Sequence, residues 1–328
     1  MYWDVNGNMV FVDEIEWMEV RKSNIKYYND IDLYYKAPSG EILLYKHSGL
    51  KYDKTYQDKH PYKGTLYITP VDKIKSLEAA QKGFSRDLTK KIKNNKTNEV
   101  KQELISIMGE TLSQPRSGSL KVVPETVNMI VEGYSDHPQV IKNLAIMSHI
   151  DYSTTIHSIN VMALMINYCY YTNKPLELTR QYGLSALLHD VGKADDHFPD
   201  ELLRENRKLT DYEYEIIKTH PTLGEDILKG YGIELKAAVP GAIEHHEKLD
   251  GSGYPNGIKN ISECGQILGI IDCYEAITND ERAYRSAMLP IKALTLLKKD
   301  VDKGHFSKEI FNDFAYSLVN KEADSIRH

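Results

Sequence analysis

The chain has 328 residues, 41% of them hydrophobic and 27% charged, with a formal charge of −6 and a pI near 6.1. That length suggests about two domains, each able to bury a core. The acidic balance argues against a binder of nucleic-acid polymers and leaves room for a small anionic ligand held by a few local cations.

Three cysteines, Cys169, Cys264 and Cys273, with no CxxC pair, fit a reducing compartment better than a disulfide scaffold. The first residues, MYWDVNGNMVFVDEIEW, lack the basic flank and apolar run of a signal peptide. The most apolar stretch, INVMALMINYCYY at 159–171, is too short and too rich in asparagine to span a bilayer. The expectation is a cytoplasmic protein without a membrane span.

Residues 28–70 read as a small mixed sheet. Two aromatic and aliphatic runs flank Pro38-Ser39-Gly40 in a hairpin pattern, and GTLYIT at 64–69 is a further short strand. Pro70 opens a stretch of helix-forming composition. The many tyrosines of this half read as packing on pleated surfaces. The basic run at 89–101 reads as a solvated helix or linker, not a nucleic-acid patch. SQPRSGS at 113–119 has linker chemistry, so the expected division is a small α/β domain over 1–118 and a helical domain over 119–328.

From about residue 122 the periodicity is helical. VPETVNMIVEGY opens on Pro124, and His157, Val161, Leu164, Met165 and Tyr168 share one face of the next helix. Leu184, Leu187 and Leu188 form a stripe that stops at Gly192. Thr210 and Glu213 form a capping box for a helix ending at His220-Pro221. Pro290 and Ser307 begin two later helices.

Among twelve histidines, five sit at helix ends or on inward stripes: His157, His189, His220, His245 and His246. Each alone reads as an ordinary core or surface residue. Together with Asp190, which follows His189, and Asp272, inside the apolar run QILGIIDCYEAIT, they read differently. A carboxylate there costs several kcal/mol unless it is paired or binds a metal. Helices that each project one or two N or O ligands inward can build a dinuclear site. Imidazole with carboxylate suits Fe, Mn or Zn rather than Ca.

HDVGK (189–193), HP (220–221), HHEKLDGSGYP (245–255) and IDCYEAITNDERAYR (271–285) resemble the HD-GYP family of bacterial phosphodiesterases, a branch of the HD-domain metal phosphohydrolases. The match spans roughly 140–320. It implies a mainly α fold, an HD-type all-helical bundle with a dinuclear metal site behind the small N-terminal domain. It also implies hydrolysis of cyclic di-GMP to linear pGpG, with GMP as the alternative end product, by a hydroxide held between two divalent metals, most often Fe or Mn. Carried over by position, one metal would take His157, His189, Asp190 and Asp272. The second would take Asp190, as the bridge, with His220, His245 and His246. Asp190 and Lys193 would act in catalysis. Lys193, Tyr254, Arg282 and Arg285 would meet the substrate.

The chain departs from that pattern at several places. Ser153 stands four residues before His157, where some relatives have a glutamate for a third metal, so two metals are expected. Five residues, ADDHF, separate Lys193 from Pro199-Asp200 where three are usual, and this insert reads as a solvated loop rather than an extra ligand or lid. Ala283 and one added residue alter the segment carrying Arg282, and Ser307 replaces a common aspartate at a helix cap. The competing readings are a phosphodiesterase for another cyclic dinucleotide, such as a GMP–AMP hybrid, and a receptor with negligible turnover. A homodimer or a regulatory partner would act through residues 1–118.

Overall fold

The computed structural model describes residues 2–3, 9–10, 17–94, 96–113, 115–146, 153–195, 197–199, 202, 209–278 and 288–319. Among these, a short pair, β1 (Tyr2–Trp3) and β2 (Met9–Val10), precedes a four-stranded sheet. Its strands are β3 (Met18–Val20), β4 (Leu33–Lys36), β5 (Ile42–Lys46) and β6 (Leu66–Ile68), in the order β3-β6-β4-β5. Every neighbouring pair is antiparallel, so the sheet is not mixed as the sequence suggested. The hairpin between β4 and β5 turns at Pro38-Ser39-Gly40, with Gly40 at φ +92°, a left-handed conformation that favours glycine. Five tyrosines of this half, Tyr35, Tyr45, Tyr52, Tyr56 and Tyr62, pack ring against ring at 5.2–6.3 Å. A short helix, α1 (Lys54–Lys59), is capped by Asp53.

Two helices follow before the expected boundary: α2 (Lys73–Lys93) and α3 (Thr97–Leu112). The sequence signalled α2 but not α3. The stretch read as a solvated basic run in fact delivers two lysines to the interior. Lys91 pairs with Glu103, and the fully enclosed Lys101 donates to Leu144 O at 2.7 Å. The SQPRSGS stretch forms 3-10 turns at Pro115–Ser117 and Ser119–Val122, with no loose connection between them. Gly118 N donates to the Tyr231 hydroxyl at 2.8 Å.

Behind it comes a bundle of α4 (Val123–Asp136), α5 (Pro138–Ile146), α6 (Thr154–Tyr171) and α7 (Leu176–Leu188). It continues with α8 (Asp211–Ile217), α9 (His220–Lys229), α10 (Val239–Glu244), α11 (Glu263–Thr278), α12 (Pro290–Asp302) and α13 (Lys308–Val319). α6 is the axis: every residue from Ile156 to Cys169 is buried, as expected for a helix apolar on all sides. It packs against α3, α5, α7, α11 and α13, so the apolar core runs from the N-terminal helices into the bundle. The Thr210–Glu213 capping box forms, with Glu213 N donating to Thr210 Oγ1 at 3.2 Å. Ser153 caps α6 through Ile156 N, and Ser307 caps α13 through Ile310 N. Pro221 does not end a helix; it lies in the first turn of α9, where its missing N–H costs nothing. No helix among the described residues is long and apolar enough to cross a membrane.

Candidate metal centre

Helix ends aim the polar groups at one point in the bundle. His157 lies in the first turn of α6, His189 and Asp190 follow the last turn of α7, and His220 opens α9. His245 and His246 follow the last residue of α10, and Asp272 comes from the middle of α11. All but His246 are at least nine-tenths buried.

Two histidine pairs face each other across Asp190. His157 Nε2 and His189 Nε2 are 3.1 Å apart, as are His220 Nε2 and His245 Nε2. Asp190 Oδ2 lies 3.5 Å from His189 Nε2 and 3.7 Å from His157 Nε2, while Oδ1 lies 3.2 Å from His220 Nε2 and 3.8 Å from His245 Nε2. Asp272 Oδ1 is 3.0 Å from His157 Nε2. The ligand atoms of His157, His189 and Asp272 form one group within 4.8 Å, those of His220, His245 and His246 another, and those of His189, Asp190 and His245 join the two.

The tautomers follow from the outer ring nitrogens. His189 Nδ1 meets Ala186 O at 2.8 Å, His220 Nδ1 meets Ile217 O at 2.7 Å, and His245 Nδ1 meets Gly241 O at 2.9 Å. A carbonyl only accepts, so each Nδ1 carries the proton, and in its neutral form each ring turns an Nε2 lone pair inward. Lone pairs of His220 and His245 3.1 Å apart repel unless a cation lies between them. Asp190 Oδ1, buried beside them, has no hydrogen-bond partner. This donor set fits divalent metals, and its outer contacts are those that orient metal-binding imidazoles.

Glu275 completes the outer ring and was not legible as a site residue. It lies three residues beyond Asp272 on α11, takes His157 Nδ1 on Oε2 and accepts from Asn160 Nδ2 on Oε1 at 2.7 Å. Its one sequence signal is the i, i+3 spacing from a buried aspartate.

Burial dominates the electrostatics. It pushes the His189 and His245 imidazoles down from their usual range and His246 down to about 3, so these rings are neutral at pH 7. Burial also opposes ionisation of Asp190 and Asp272. The Lys193 charge beside Asp190, and His157 beside Asp272, overcome it and hold both well below the usual carboxylate range. For His157, burial is outweighed by Glu275 and Asp272, which raise it to about 10.

Lys193, in the 3-10 turn Val191–Ala194 after Asp190, donates to Asp190 Oδ2 at 2.6 Å. Gly192 between them packs on α9, where a Cβ would overlap the His220 carbonyl and crowd Gly224 N. Tyr254 stacks on His246, with centroids 4.6 Å apart and planes 26° off parallel. Glu247 fixes the loop that carries Tyr254, accepting from Asn256 N at 2.7 Å and Ile258 N at 3.1 Å. Gly253 fits because a Cβ would overlap the backbone of residues 246–248. The structure thus brings together His157, His189, Asp190, His220, His245, His246 and Asp272, with Lys193 and Tyr254 at the edge. Arg282 and Arg285 lie outside the described residues.

The insert after Lys193 is neither a solvated loop nor part of the histidine groups at Asp195. That side chain is enclosed. Arg116 Nε donates to Asp195 Oδ2 at 2.8 Å, and His197 N and Nδ1 bind Oδ1 at 3.0 and 2.7 Å. The 3-10 turn before the bundle is thereby tied to the segment that follows the metal motif.

Residues 131–310, more than half the chain, match the HD domain family, and the chain belongs to it. The HD-GYP resemblance is borne out by its relatives. Over 184 residues the chain is 34% identical to a cyclic di-GMP phosphodiesterase of Pseudomonas aeruginosa, PA4108, covering 56% of this chain and 43% of that protein. Over 140 residues it is 32% identical to the 3′3′-cGAMP-specific phosphodiesterase 1 of Vibrio cholerae, covering 42% of this chain and 31% of that one. The chain therefore matches less than half the length of either relative. Bd1817, an HDG"Y"P protein from Bdellovibrio bacteriovorus, shares the fold with a TM-score of 0.58 at 16% identity, over 93% of this chain and all of that one.

Proposed function

We propose that the chain is a metal-dependent phosphodiesterase that opens cyclic di-GMP to linear pGpG. The observation that carries this reading is the pair of facing imidazole couples around Asp190, whose buried Oδ1 has no partner until a cation supplies one. Two divalent ions, Fe or Mn, would be held by His157, His189, Asp190 and Asp272 on one side and by Asp190, His220, His245 and His246 on the other. When bound, they would supply Lewis acidity to the phosphoryl group and lower the pKa of a coordinated water. The chain's own residues do the rest. Glu275 and the Ala186, Ile217 and Gly241 carbonyls keep the Nε2 edges directed inward. Lys193, released from Asp190 Oδ2 as cations take over that charge, would turn to a phosphate oxygen. Tyr254 closes the wall beside His246. Arg282 and Arg285 complete the phosphate contacts in this reading.

Residues 1–118 would form a regulatory unit ahead of a catalytic domain over 119–328, acting on the site through packing or through a partner or second copy, in the cytoplasm. A second reading, hydrolysis of a GMP–AMP hybrid, is favoured by the Vibrio cholerae relative named for 3′3′-cGAMP. The test is turnover of both cyclic dinucleotides by Mn- or Fe-loaded protein, with products identified and metal counted per chain. Hydrolysis that disappears with His189→Ala plus Asp190→Ala supports the proposal. No turnover with either metal overturns it.

A further inference from the structure

The 3-10 turn Pro115–Ser117 lies ahead of the bundle and grips it at two points. Arg116 Nε and Nη2 both donate to Asp195 Oδ2, at 2.8 and 2.5 Å. The Tyr231 hydroxyl donates to Pro115 O and accepts from Gly118 N at 2.8 Å. Asp195 directly follows the turn Val191–Ala194, which carries Lys193, and Tyr231 lies just beyond α9, which opens with His220. The two grips thus fall on the two halves of the metal centre, whose backbones meet at Gly192.

Asp195 is joined to Lys193 by one tight turn of backbone. Asp195 N donates to Gly192 O at 3.2 Å, and Lys193 N donates to Asp190 O at 2.9 Å. The Asp195 side chain is fully enclosed, and a carboxylate in that setting stays where its partners are. Those partners are His197, whose ring is 80% exposed, and Arg116, which brings a permanent charge and a planar fork of N–H donors. The ligand imidazoles take their orientation elsewhere, from Glu275 and from the Ala186, Ile217 and Gly241 carbonyls. We propose that Arg116 is a positioning residue for the reaction: through Asp195 it holds the 191–195 turn against α9 and so aims Lys193. The insert after Lys193 is then the receiver of this contact and not a spacer. The inference rests on the phosphodiesterase reading of the centre and gives residues 1–118 a defined point of entry to it.

The test is turnover of cyclic di-GMP by the full Mn-loaded chain, with kcat and KM separated and Mn counted per chain. Arg116→Ala is expected to lower kcat by about tenfold, with KM and Mn content as in wild type. The guanidinium is half exposed, so the fold survives its removal. Arg116→Lys, which keeps the charge without the fork, should recover part of the loss. Arg116→Ala combined with Asp195→Asn should cost no more than the larger single change, because the two side chains act as one contact. Lys96→Ala, which breaks the exposed Lys96–Glu99 pair, should leave kcat as it is. A wild-type kcat in Arg116→Ala, or a loss that only follows lost Mn, overturns the inference and makes the contact a staple between regions. Hydrogen exchange at the Lys193 and Asp195 amides, referred to amides of α12, is measured in parallel. If the wild type itself turns nothing over, the activity reading falls and exchange decides the rest. Faster exchange at 193 and 195 in Arg116→Ala then sustains the hold on the turn, and unchanged exchange overturns it.

Discussion

In the N-terminal half, the enclosed Lys46 ammonium is met by the carbonyls of Asn29, His47 and Leu50 at 2.9–3.2 Å. Glu110 there accepts from Arg21 N at 2.7 Å and the Tyr28 hydroxyl at 2.9 Å, and Glu103 takes Lys26 and Lys91. Around Asp190, by contrast, imidazole nitrogens face each other and a carboxylate oxygen has nothing to accept. Both regions bury charge, and each leaves a carboxylate oxygen without a hydrogen-bond partner, Glu103 Oε2 in the first and Asp190 Oδ1 in the second. The first meets its carboxylates with ammonium groups, a hydroxyl and a backbone N–H. Only the second sets imidazole nitrogens face to face beside the unmet oxygen. Buried polar groups that satisfy one another hold a fold in one arrangement. Groups arranged against their own mutual preference store a binding site.

The contrast predicts that changes around Asp190 alter metal binding and activity, and changes in the N-terminal half alter stability. The largest effect is expected at Asp190. Asp190→Asn should lose metal and lower kcat by about a thousandfold or more, while metal-free protein melts no earlier than wild type. Metal analysis with calorimetry checks both halves of the statement. A lower melting temperature in the metal-free variant would show that Asp190 is a structural group after all.

Next comes Lys101, whose ammonium burial pushes down to about 8 against the opposing charge of Glu275. The unfolded lysine titrates near 10.4, so between about pH 8 and that value the unfolded chain holds more protons. Native stability from this group therefore rises with pH across that window, by up to about 3 kcal/mol. Below pH 8 the full cost is present. Lys101→Met should stabilise the protein most at pH 7 to 8, with the difference from wild type narrowing as pH approaches 10. A difference independent of pH would break the assignment.

Glu275→Gln is expected to weaken metal affinity by about 10- to 100-fold through loss of the carboxylate behind His157, measured by competition with a chromophoric chelator. The smallest effect is at the tie between the regions. Arg116→Ala removes one partner of the enclosed Asp195. The half-exposed guanidinium limits the loss of stability to about 1 kcal/mol, visible as a lowered melting temperature. A loss several times larger would mean that the 3-10 turn holds the two regions together.

The residues that hold this site were legible where local sequence forces them together: His189 with Asp190, His245 with His246, and the glycines of the loop behind them. Glu275 was hidden because Asp-Cys-Tyr-Glu reads as one more turn of helix, and only the fold shows that its carboxylate meets a ring 118 residues away. α3 was missed for a similar reason. Lys101 makes its segment look solvated until the carbonyl of Leu144, 43 residues on, is brought beside it. Pro221 misled through position, since proline ends one helix and begins the next with equal ease. The Arg116–Asp195 contact had no local signal at all.

The contact at Gly192 has a mechanical consequence. The two halves of the metal centre are carried by different helices, and they meet where the backbone of the 189–193 turn lies directly on the first turn of α9. An alanine there would act as a wedge, driving His220 away from Asp190 without touching any donor atom. The gauge of the centre, its distance from one imidazole couple to the other, is set by the side chain that residue 192 does not have.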